Sequence, residues 1–376
     1  MTASPSAGDA LPLGPLLVWV FAPYLETTDP HLDCYSDYSQ SRAEFERVFA
    51  ALGIEWQWEL VTTDNFEATI DRVVRDSTGR TPVVLNLCDG DEVNNVPGID
   101  VIRRLNDVGL CFTGADARFY ELTTSKIVMK EAFDAAGVPT PPWEVIPPDA
   151  AGARGILGRL GAPLIVKPAV SAGSMGITIK SVVHTAKALS SEVRQLYAGY
   201  RGWNLTDGGV LAESFITGRE FTTFIVGSHD APIRRRVYPP VERVFHSALP
   251  ATEQFLSFDR LWEIYERETP LGDDQDLWQY AAAPKALSRA ICDVSWAAYV
   301  AVEGRGYGRV DLRYDPVTRQ LYVLEVNAQC GISEDENYTS IGAILRFAKG
   351  SFSQVVSEIL DNALTESTAF APSVPS

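Results

Sequence analysis

Two segments near the C-terminus carry the residues best suited to chemistry. Residues 309–314 read Arg-Val-Asp-Leu-Arg-Tyr, and residues 321–327 read Leu-Tyr-Val-Leu-Glu-Val-Asn. Polar and apolar residues alternate in both segments, and this period of two predicts strands with one polar face and one apolar face. The polar faces hold two carboxylates and an amide, Asp311, Glu325 and Asn327, and oxygen ligands of this kind suit Mg²⁺.

The pairing of these two strands decides whether the oxygen atoms meet. A five-residue hairpin loop, residues 316–320, places Asp311 opposite Glu325 and Arg309 opposite Asn327. Opposed Cβ atoms are then about 4.5–5.5 Å apart, and a slip by one residue would put the two carboxylates on opposite faces. Neighbouring carboxylates repel each other unless a cation lies between them, so this register predicts a Mg²⁺ site. The hairpin alone leaves open a solvated face that is neutralised by arginines on the same strand.

Three further features could serve a phosphate-bearing ligand. Lys167 ends a predicted strand and precedes a loop of small residues, 171–176, whose successive N–H groups could cradle phosphate oxygens. Lys126 lies in the first turn of a predicted helix, and an anion nearby would offset its repulsion from the helix dipole. Glu213 and Glu220 bracket a bend and could accept hydrogen bonds from ribose hydroxyls. Each feature has a plainer alternative: a flexible hairpin, a surface lysine or solvated carboxylates.

The elements that must position these residues begin with an alternation of strands and helices. Strands are predicted over 16–21, 83–87 and 110–113, and a helix over 41–52. Ser41 and Glu44 have the spacing of a capping box at the start of that helix, and Gly53 ends it. This order predicts a parallel sheet with crossover helices.

The later elements predict two further regions. The second region contains a helix over 125–136 and strands over 164–167 and 177–183. The third contains a strand over 221–226, a polar insertion over 238–276, a helix over 285–302, the hairpin and a closing helix over 352–364. We therefore predict an α/β (α+β) protein of three domains, 15–123, 124–209 and 210–366, between flexible tails at 1–14 and 367–376.

Composition excludes several classes of protein. The chain has 376 residues, of which 46% are hydrophobic, and its 49 acidic and 32 basic residues give a net charge of −17. This charge disfavours nucleic acids and anionic membranes as partners. Five cysteines without a CxxC pair indicate reduced thiols. The apolar run at 11–25 contains prolines and follows no basic residue, and no segment is long enough to span a membrane, so we expect a soluble, cytoplasmic protein.

Considered together, these motifs resemble the ATP-grasp superfamily, and within it the D-alanine–D-alanine ligase-like branch. The resemblance covers about residues 83–364. It is carried by Phe112-Thr-Gly114, Thr124-Ser-Lys126, Gly137-Val-Pro139, Ile165-Val-Lys-Pro168, Gly218-Arg-Glu-Phe-Thr222, Gly308-Arg-Val-Asp311, Leu324-Glu-Val-Asn327 and Gly331. It implies the ATP-grasp fold, with an N-terminal parallel-sheet domain, a central lid domain and a C-terminal antiparallel-sheet catalytic domain.

The resemblance also implies roles for individual residues. Those that would contact ATP are Lys126, Lys167, Ser171, Gly173, Ser174, Met175, Gly176, Glu213, Ser214, Phe215, Ile216 and Glu220. Asp311, Glu325 and Asn327 would bind Mg²⁺, with two ions expected and Mn²⁺ able to replace it. Arg309 and the Gly331 N–H would stabilise the transferred acyl centre. The implied activity joins a carboxylate to an amine, both small molecules, through an acyl phosphate, and family analogy suggests a homodimer.

Departures from the family pattern bear on the substrates. The family's Gly-Gly-x-Ser-x-Glu run after the first strand is replaced by residues 21–28, Phe-Ala-Pro-Tyr-Leu-Glu-Thr-Thr. After Gly331 the chain offers the acidic run Ser333-Glu-Asp-Glu-Asn337, which predicts repulsion of an acceptor's α-carboxylate. We therefore expect a ligase of specialised metabolism that uses D-alanine poorly. The alternatives are a cell-wall D-alanine–D-alanine ligase and a non-catalytic ATP-binding regulator.

Overall fold

Three β-sheets organise the chain in a computed structural model that describes residues 14–29, 37–147, 155–272, 276–337 and 339–370. Nearly all of the predicted N-terminal tail lies outside these residues, as do Cys34 and residues 371–376. The other four cysteines are free thiols, as expected. None of the helices within these ranges is long and apolar enough to cross a membrane.

The first sheet is parallel, as the sequence predicts. Its strands are β1 (Leu16–Pro23), β2 (Glu55–Val61), β3 (Thr81–Asn86) and β4 (Cys111–Phe112), in the order β2-β1-β3-β4. The accompanying helices are α1 (Ser39–Leu52), α2 (Phe66–Asp76), α3 (Ile99–Asp107) and α4 (Ala117–Thr124). β1 is buried along almost its whole length because helices cover both faces of such a sheet.

The predicted capping box at the start of α1 is wrong. The helix begins at Ser39 and has no side-chain cap at Tyr38. Ser41 and Glu44 therefore lie inside the helix and are both buried. The carboxylate of Glu44 consequently does not fold back on its own helix, and it contacts a distant loop that is described below.

The central sheet is antiparallel. Its strands are β5 (Trp143–Ile146), β6 (Leu164–Pro168), β7 (Val182–Val183) and β8 (Val210–Ser214), in the order β5-β8-β6-β7. Its helices are α5 (Lys126–Ala136), α6 (Ile156–Leu160) and α7 (Ala186–Tyr197). Because β8 lies in the interior of this sheet, a domain boundary at residue 209 would divide the sheet. The strand expected over 177–183 is shortened to β7 by a capped 3₁₀ turn at Ile179–Ser181.

The third sheet is also antiparallel. Its strands are β9 (Arg219–Val226), β10 (Arg236–Val237), β11 (Val241–Phe245), β12 (Trp278–Ala282), β13 (Tyr307–Asp315) and β14 (Gln320–Ala328), in the order β12-β11-β9-β13-β14 with β10 beside β9. Its helices are α8 (Phe258–Trp262), α9 (Lys285–Ala301), α10 (Ser340–Ala348) and α11 (Phe352–Phe370). α11 extends beyond the predicted end at residue 364, so residues 367–370 are helical and not part of a tail.

A β-bulge divides the hairpin of β13 and β14 into two registers. Asp311 pairs with Glu325 as predicted, but Leu312 pairs with Val323, so Leu324 is the extra residue. The predicted pairing of Asp315 with Leu321 is therefore wrong by one residue, because Asp315 pairs with Gln320. The hairpin loop is correspondingly shorter, and Val323 rather than Leu324 enters the core.

The core connects the first sheet to the third. Its largest cluster includes Val18, Phe45, Phe224, Tyr307 and Val355, and so joins β1, α1, β9, β13 and α11. Burial of each large apolar side chain contributes about 1.5–3 kcal/mol. The two sheets are thereby held together at the end of the molecule where β13 and β14 present their polar residues.

Candidate active site

The polar face of β13 and β14 brings together the residues expected to bind metal. Asp311 lies directly opposite Glu325 and Arg309 directly opposite Asn327, which confirms the pairing predicted for this half of the hairpin. The Asn327 side-chain amide donates to Asp311 at 3.1 Å. Arg309 donates from Nε to both Asp311 carboxylate oxygens, at 3.2 and 3.1 Å.

Cations surround this pair of carboxylates. Lys126 Nζ lies 3.6 Å from Glu325 Oε2. Burial alone would raise the pKa of Glu325, but the charges of Lys126, Lys167 and Arg309 lower it below its ordinary value. Two carboxylates and an amide on one face offer oxygen ligands that fit Mg²⁺. Within the described ranges no group of three or more His, Cys, Asp or Glu residues could hold a metal, so a metal here would depend on Asn327 or on other oxygen ligands.

Lys126 connects this face to the predicted phosphate loop. Its backbone N–H donates to Ala169 O at 2.8 Å, and its Nζ donates to Ser171 O at 3.1 Å. The lysine thus extends from the first turn of α5 to the space between the loop and Glu325. This placement explains a cation at the helix N-terminus, because the Glu325 carboxylate offsets the helix dipole.

A buried carboxylate, Glu213, holds the second lysine. Glu213 at the end of β8 forms ion pairs with Lys167 and with Lys130 Nζ, the latter at 2.6 Å. Burial alone would raise the pKa of Glu213, but the two ammonium groups lower it to about 2. Lys130 Nζ also donates to Thr140 Oγ1 at 2.7 Å. Sequence analysis missed Lys130, although its spacing of four residues from Lys126 places both on one side of α5.

The phosphate loop is attached to the insertion that precedes β12. Trp262 of α8 donates through Nε1 to Gly173 O at 2.9 Å, and Ser174 Oγ donates to Leu256 O at 3.0 Å. Ser171 Oγ is buried and has no hydrogen-bond partner among the residues that the structure describes. A buried hydroxyl without a partner is costly, so a phosphate oxygen at this position would satisfy it.

Two loop residues anchor the loop to the protein core. Met175 is fully buried, and its N–H donates to Ala172 O at 3.0 Å. Gly176 has a φ of +79°, and a Cβ there would lie 2.6 Å from a Leu205 methyl. The Met175 side chain therefore packs in the core, and the predicted contacts of these two residues with ATP stay predictions.

Glu220, the predicted ribose ligand, is held by Arg243, which sequence analysis missed, and by Arg313, which it considered only as a neutralising charge on the hairpin. Its carboxylate pairs with Arg243 and accepts from Arg313 Nη2 at 2.8 Å. Burial would raise the pKa of Glu220, but the two guanidinium groups lower it. Arg313 also donates to Ile216 O at 2.8 Å and lies over the Phe215 ring. A ribose would have to share Glu220 with both arginines.

Ser214, which is also predicted to contact ATP, is tied to the central sheet. Its N–H donates to Pro142 O at 2.8 Å, and its hydroxyl donates to Leu160 O at 3.2 Å. Ser214 therefore has fixed hydrogen bonds on the side of β5 and α6. The predicted contacts of Ser214, Phe215 and Ile216 with ATP stay predictions.

Gly331, the residue predicted to stabilise the acyl centre, lies in a turn that packs against the first sheet. Gln329 is buried, donates to Asn86 O at 2.6 Å and accepts from the Ala115 N–H at 2.6 Å. Gly331 itself is exposed. The turn thus reaches the carboxyl end of β3 from the opposite sheet.

The acidic run after Gly331 forms contacts that the sequence did not indicate. Glu334 pairs with Arg47 at 2.6 Å, and Glu336 pairs with Arg346 at 2.8 Å. Asp335 accepts from the Gln40 side chain at 2.9 Å. Each of the three carboxylates is thus engaged by a side chain of α1 or α10, and the predicted repulsion of an acceptor's α-carboxylate stays a prediction.

Solved structures with this fold include D-alanine–D-alanine ligases. The enzyme from Bacillus anthracis complexed with ATP matches with a TM-score of 0.65 at 16% identity, over 95% of this chain and 99% of that one. The enzyme from Coxiella burnetii matches with a TM-score of 0.63 at 15% identity, over 94% and 96%. The protein therefore has the ATP-grasp fold, with the three sheets that the sequence predicts.

Sequence comparison identifies the family. Residues 132–361 match the family model described as the C-terminus of D-Ala D-Ala ligase, and the chain belongs to this family. A D-alanine–D-alanine ligase of Bordetella petrii is 30% identical over 226 residues, or 60% of each chain. One from a Synechococcus strain is 27% identical over 262 residues, covering 69% of this chain and 70% of that one. The matches thus span well under the full length of these relatives.

Proposed function

We propose that this protein is an ATP-dependent ligase that joins a carboxylate to an amine and forms ADP and phosphate. The observation that carries the proposal is the position of Lys126, which contacts both the phosphate loop at Ser171 and the carboxylate of Glu325. Phosphate-binding and metal-binding groups thus meet at one side chain. Folding alone does not require carboxylates, lysines and an arginine to be concentrated on one face.

The proposed reaction has two steps. The substrate carboxylate first attacks the γ-phosphorus of ATP, expels ADP and forms an acyl phosphate, while Lys126 and Lys167 stabilise the charge on the phosphate oxygens. The amine then attacks the acyl carbon, loses a proton and expels phosphate. Arg309 and the Gly331 N–H stabilise the oxyanion of the tetrahedral intermediate. The loop at 171–176 and its partner Trp262 exclude water that would hydrolyse the acyl phosphate.

The residues that would hold Mg²⁺ are Asp311, Glu325 and Asn327. When bound, the metal would neutralise charge on the ATP phosphates. Arg309 already fixes the Asp311 carboxylate and thereby keeps it on the correct face. We keep two ions, replacement by Mn²⁺, a homodimer and a cytoplasmic location as predictions.

D-Alanine is the first candidate for both substrates. The relatives that carry this name favour it, and the acidic run after Gly331 argues less strongly against it, because Glu334 and Glu336 form ion pairs with arginines. A ligase of specialised metabolism is the second candidate. It is favoured by residues 21–28, which lack the family's Gly-Gly-x-Ser-x-Glu run.

One assay separates these candidates. The protein is incubated with ATP and Mg²⁺, with D-alanine alone or with pooled amino acids, and phosphate release and product mass are measured. Formation of D-alanyl-D-alanine at millimolar substrate supports the first candidate, whereas a different amide product supports the second. Nucleotide binding without phosphate release or product in any mixture would contradict a ligase and favour the non-catalytic regulator.

A further inference from the structure

We infer that Glu44 of α1 is a positioning residue that fixes the Gly331 turn for acyl transfer. The inference rests on the proposed ligase function and deepens it. Glu44 belongs to the first sheet's region, whereas Gly331 follows β14 of the third sheet. The position of the Gly331 N–H would then depend on α1, a helix from the other end of the chain.

The contacts of Glu44 are specific and buried. Glu44 is only 2% exposed, although glutamate is usually a surface residue. Its Oε1 accepts from Ser333 Oγ at 2.8 Å, and its Oε2 accepts from the Glu334 N–H at 3.2 Å. The Gln40 side chain donates to Oε1 at 3.3 Å. Each carboxylate oxygen therefore accepts a hydrogen bond from the loop that follows Gly331.

Ser333 transmits this contact to the backbone. The residue is fully buried, and its hydroxyl donates to Glu44 while accepting from the Asp335 N–H at 3.0 Å. A hydroxyl with both a donor and an acceptor partner has one preferred orientation. Removal of either oxygen of the Glu44–Ser333 bond would leave buried polar groups unpaired.

A second anchor lies on the other side of Gly331. Two residues before it, Gln329 bonds to Asn86 O and to the Ala115 N–H. Two residues after it, Ser333 bonds to Glu44. Gly331 is thus the middle residue of a short bridge between two buried interdomain contacts. The Gln329 contact holds the turn close to β3, and the Glu44 contact fixes the orientation of the backbone after Gly331.

The chemical consequence concerns the second step of the proposed reaction. The Gly331 N–H must point at the oxyanion that forms when the amine attacks, and misplacement by about 1 Å can lower the rate about 10²-fold. The residues proposed to contact ATP belong to α5, the central sheet, the loop at 171–176 and the segment from β8 to β9, and Glu44 forms its hydrogen bonds with none of them. Loss of Glu44 should therefore slow acyl transfer more than it weakens ATP binding, and the longer-lived acyl phosphate should be hydrolysed more often.

The test compares Glu44→Ala, Glu44→Gln and Ser333→Ala with Glu46→Ala, a matched carboxylate on the exposed side of α1. For Glu44→Ala and Ser333→Ala we expect kcat to fall at least about tenfold, KM for ATP to stay within about twofold, and more phosphate to be released per amide formed. Glu44→Gln keeps an acceptor oxygen and should recover most of the coupling. Glu46→Ala should behave as wild type.

Three outcomes would overturn the inference. In an active wild type, unchanged kcat and coupling in both Glu44 variants would remove Glu44 from this role. Equal loss of ATP binding and kcat would indicate general damage to the fold. Hydrogen exchange gives a readout without turnover: amides of 331–334 should exchange faster in Glu44→Ala than in Glu46→Ala, and equal rates contradict the inference even if wild type proves inactive. An inactive wild type with the expected exchange difference would instead contradict only the proposed function.

Discussion

The Glu213 carboxylate stays ionised because it is buried between two lysines. The groups that hold it, Lys130 and Lys167, come from α5 and β6, and Lys130 is itself buried. The carboxylate therefore restrains the direction of Lys167, which the resemblance assigns to phosphate binding. A free lysine side chain would have to lose its rotamer freedom at the moment of binding.

We expect Glu213→Gln to lower the free energy of unfolding by about 3–5 kcal/mol at pH 7, the cost of removing one partner from a buried ion pair. The folded-state pKa of Glu213 is about 2, below its ordinary 4.5. Its stabilising contribution is thus complete above pH 4.5 and is lost as pH falls towards 2. Urea unfolding should show the difference between wild type and variant shrinking below pH 4.5.

Glu144→Gln is the matched control for this measurement, because Glu144 lies in the same sheet but pairs with the exposed Arg159. Exposed ion pairs contribute about 0–1 kcal/mol. A Glu213 variant no less stable than the Glu144 variant would show that the two lysines do not need this carboxylate.

Glu325→Gln removes one charge from the predicted metal-binding face and leaves the apolar face of the hairpin intact. We expect a melting temperature near that of wild type and turnover reduced at least about 10²-fold, the scale of losing a key electrostatic group. Phosphate release with ATP and Mg²⁺ measures the effect. Wild-type turnover in the folded variant would remove Glu325 from the site.

The helix α10 touches the acidic run at a glycine. A Cβ on Gly342 would lie 2.6 Å from the Glu336 backbone nitrogen and closer still to the Glu334 carbonyl. Gly342→Ala should therefore push the run away from the helix and cost about 1–3 kcal/mol of unfolding free energy, as overpacking does. In Gly158→Ala on α6 nothing lies within 4 Å of the new Cβ, so that variant should be neutral or more stable. Equal stability of the two variants would refute this steric explanation.

Local patterns predicted the elements better than the contacts between them. The alternation of β13 and β14 identified the polar face, and Asp311 lies opposite Glu325 as predicted because the bulge at Leu324 compensates for a loop that is one residue shorter than predicted. The bulge at Leu324 could not be predicted, because Leu321, Val323 and Leu324 are all apolar and fit either register. The Glu44–Ser333 bond joins residues 289 positions apart, and at short range the sequence offered Glu44 a capping role instead. Family motifs supplied Lys126 and Lys167 but not Lys130, whose role depends on the depth of its burial.

The Arg201 guanidinium contacts side chains from the regions that carry the other two sheets. Arg201, which follows α7, donates to Asp29 at 2.9 and 2.8 Å and pairs with Glu266 of the insertion at 2.6 Å. Its side chain is only 10% exposed, whereas those of the two carboxylates are 26% and 43% exposed. This contact ties the segment after β1 and the insertion to the central region.

Arg201→Ala should lower the unfolding free energy by about 1–3 kcal/mol, less than a fully buried pair, because the carboxylates remain partly hydrated. Urea unfolding at low and at 1 M salt measures the loss, which should be smaller at high salt because salt screens the exposed partners. Arg289→Ala, which removes an exposed pair with Asp293 on α9, should cost no more than about 0.5 kcal/mol. Equal costs in the two variants would argue against a tie between regions.

The bond between Gln329 and Asn86 has a consequence for the order in which a new chain matures. The two residues are 243 positions apart, and synthesis at about 5–20 residues per second separates them by roughly 12–50 seconds. The strands and helix that carry Lys126, Lys167 and Glu213 emerge during that interval. The lysines proposed to bind nucleotide can therefore form their contacts well before the Gly331 turn has reached β3. The last part of the site to be made is the part proposed to complete the amide bond.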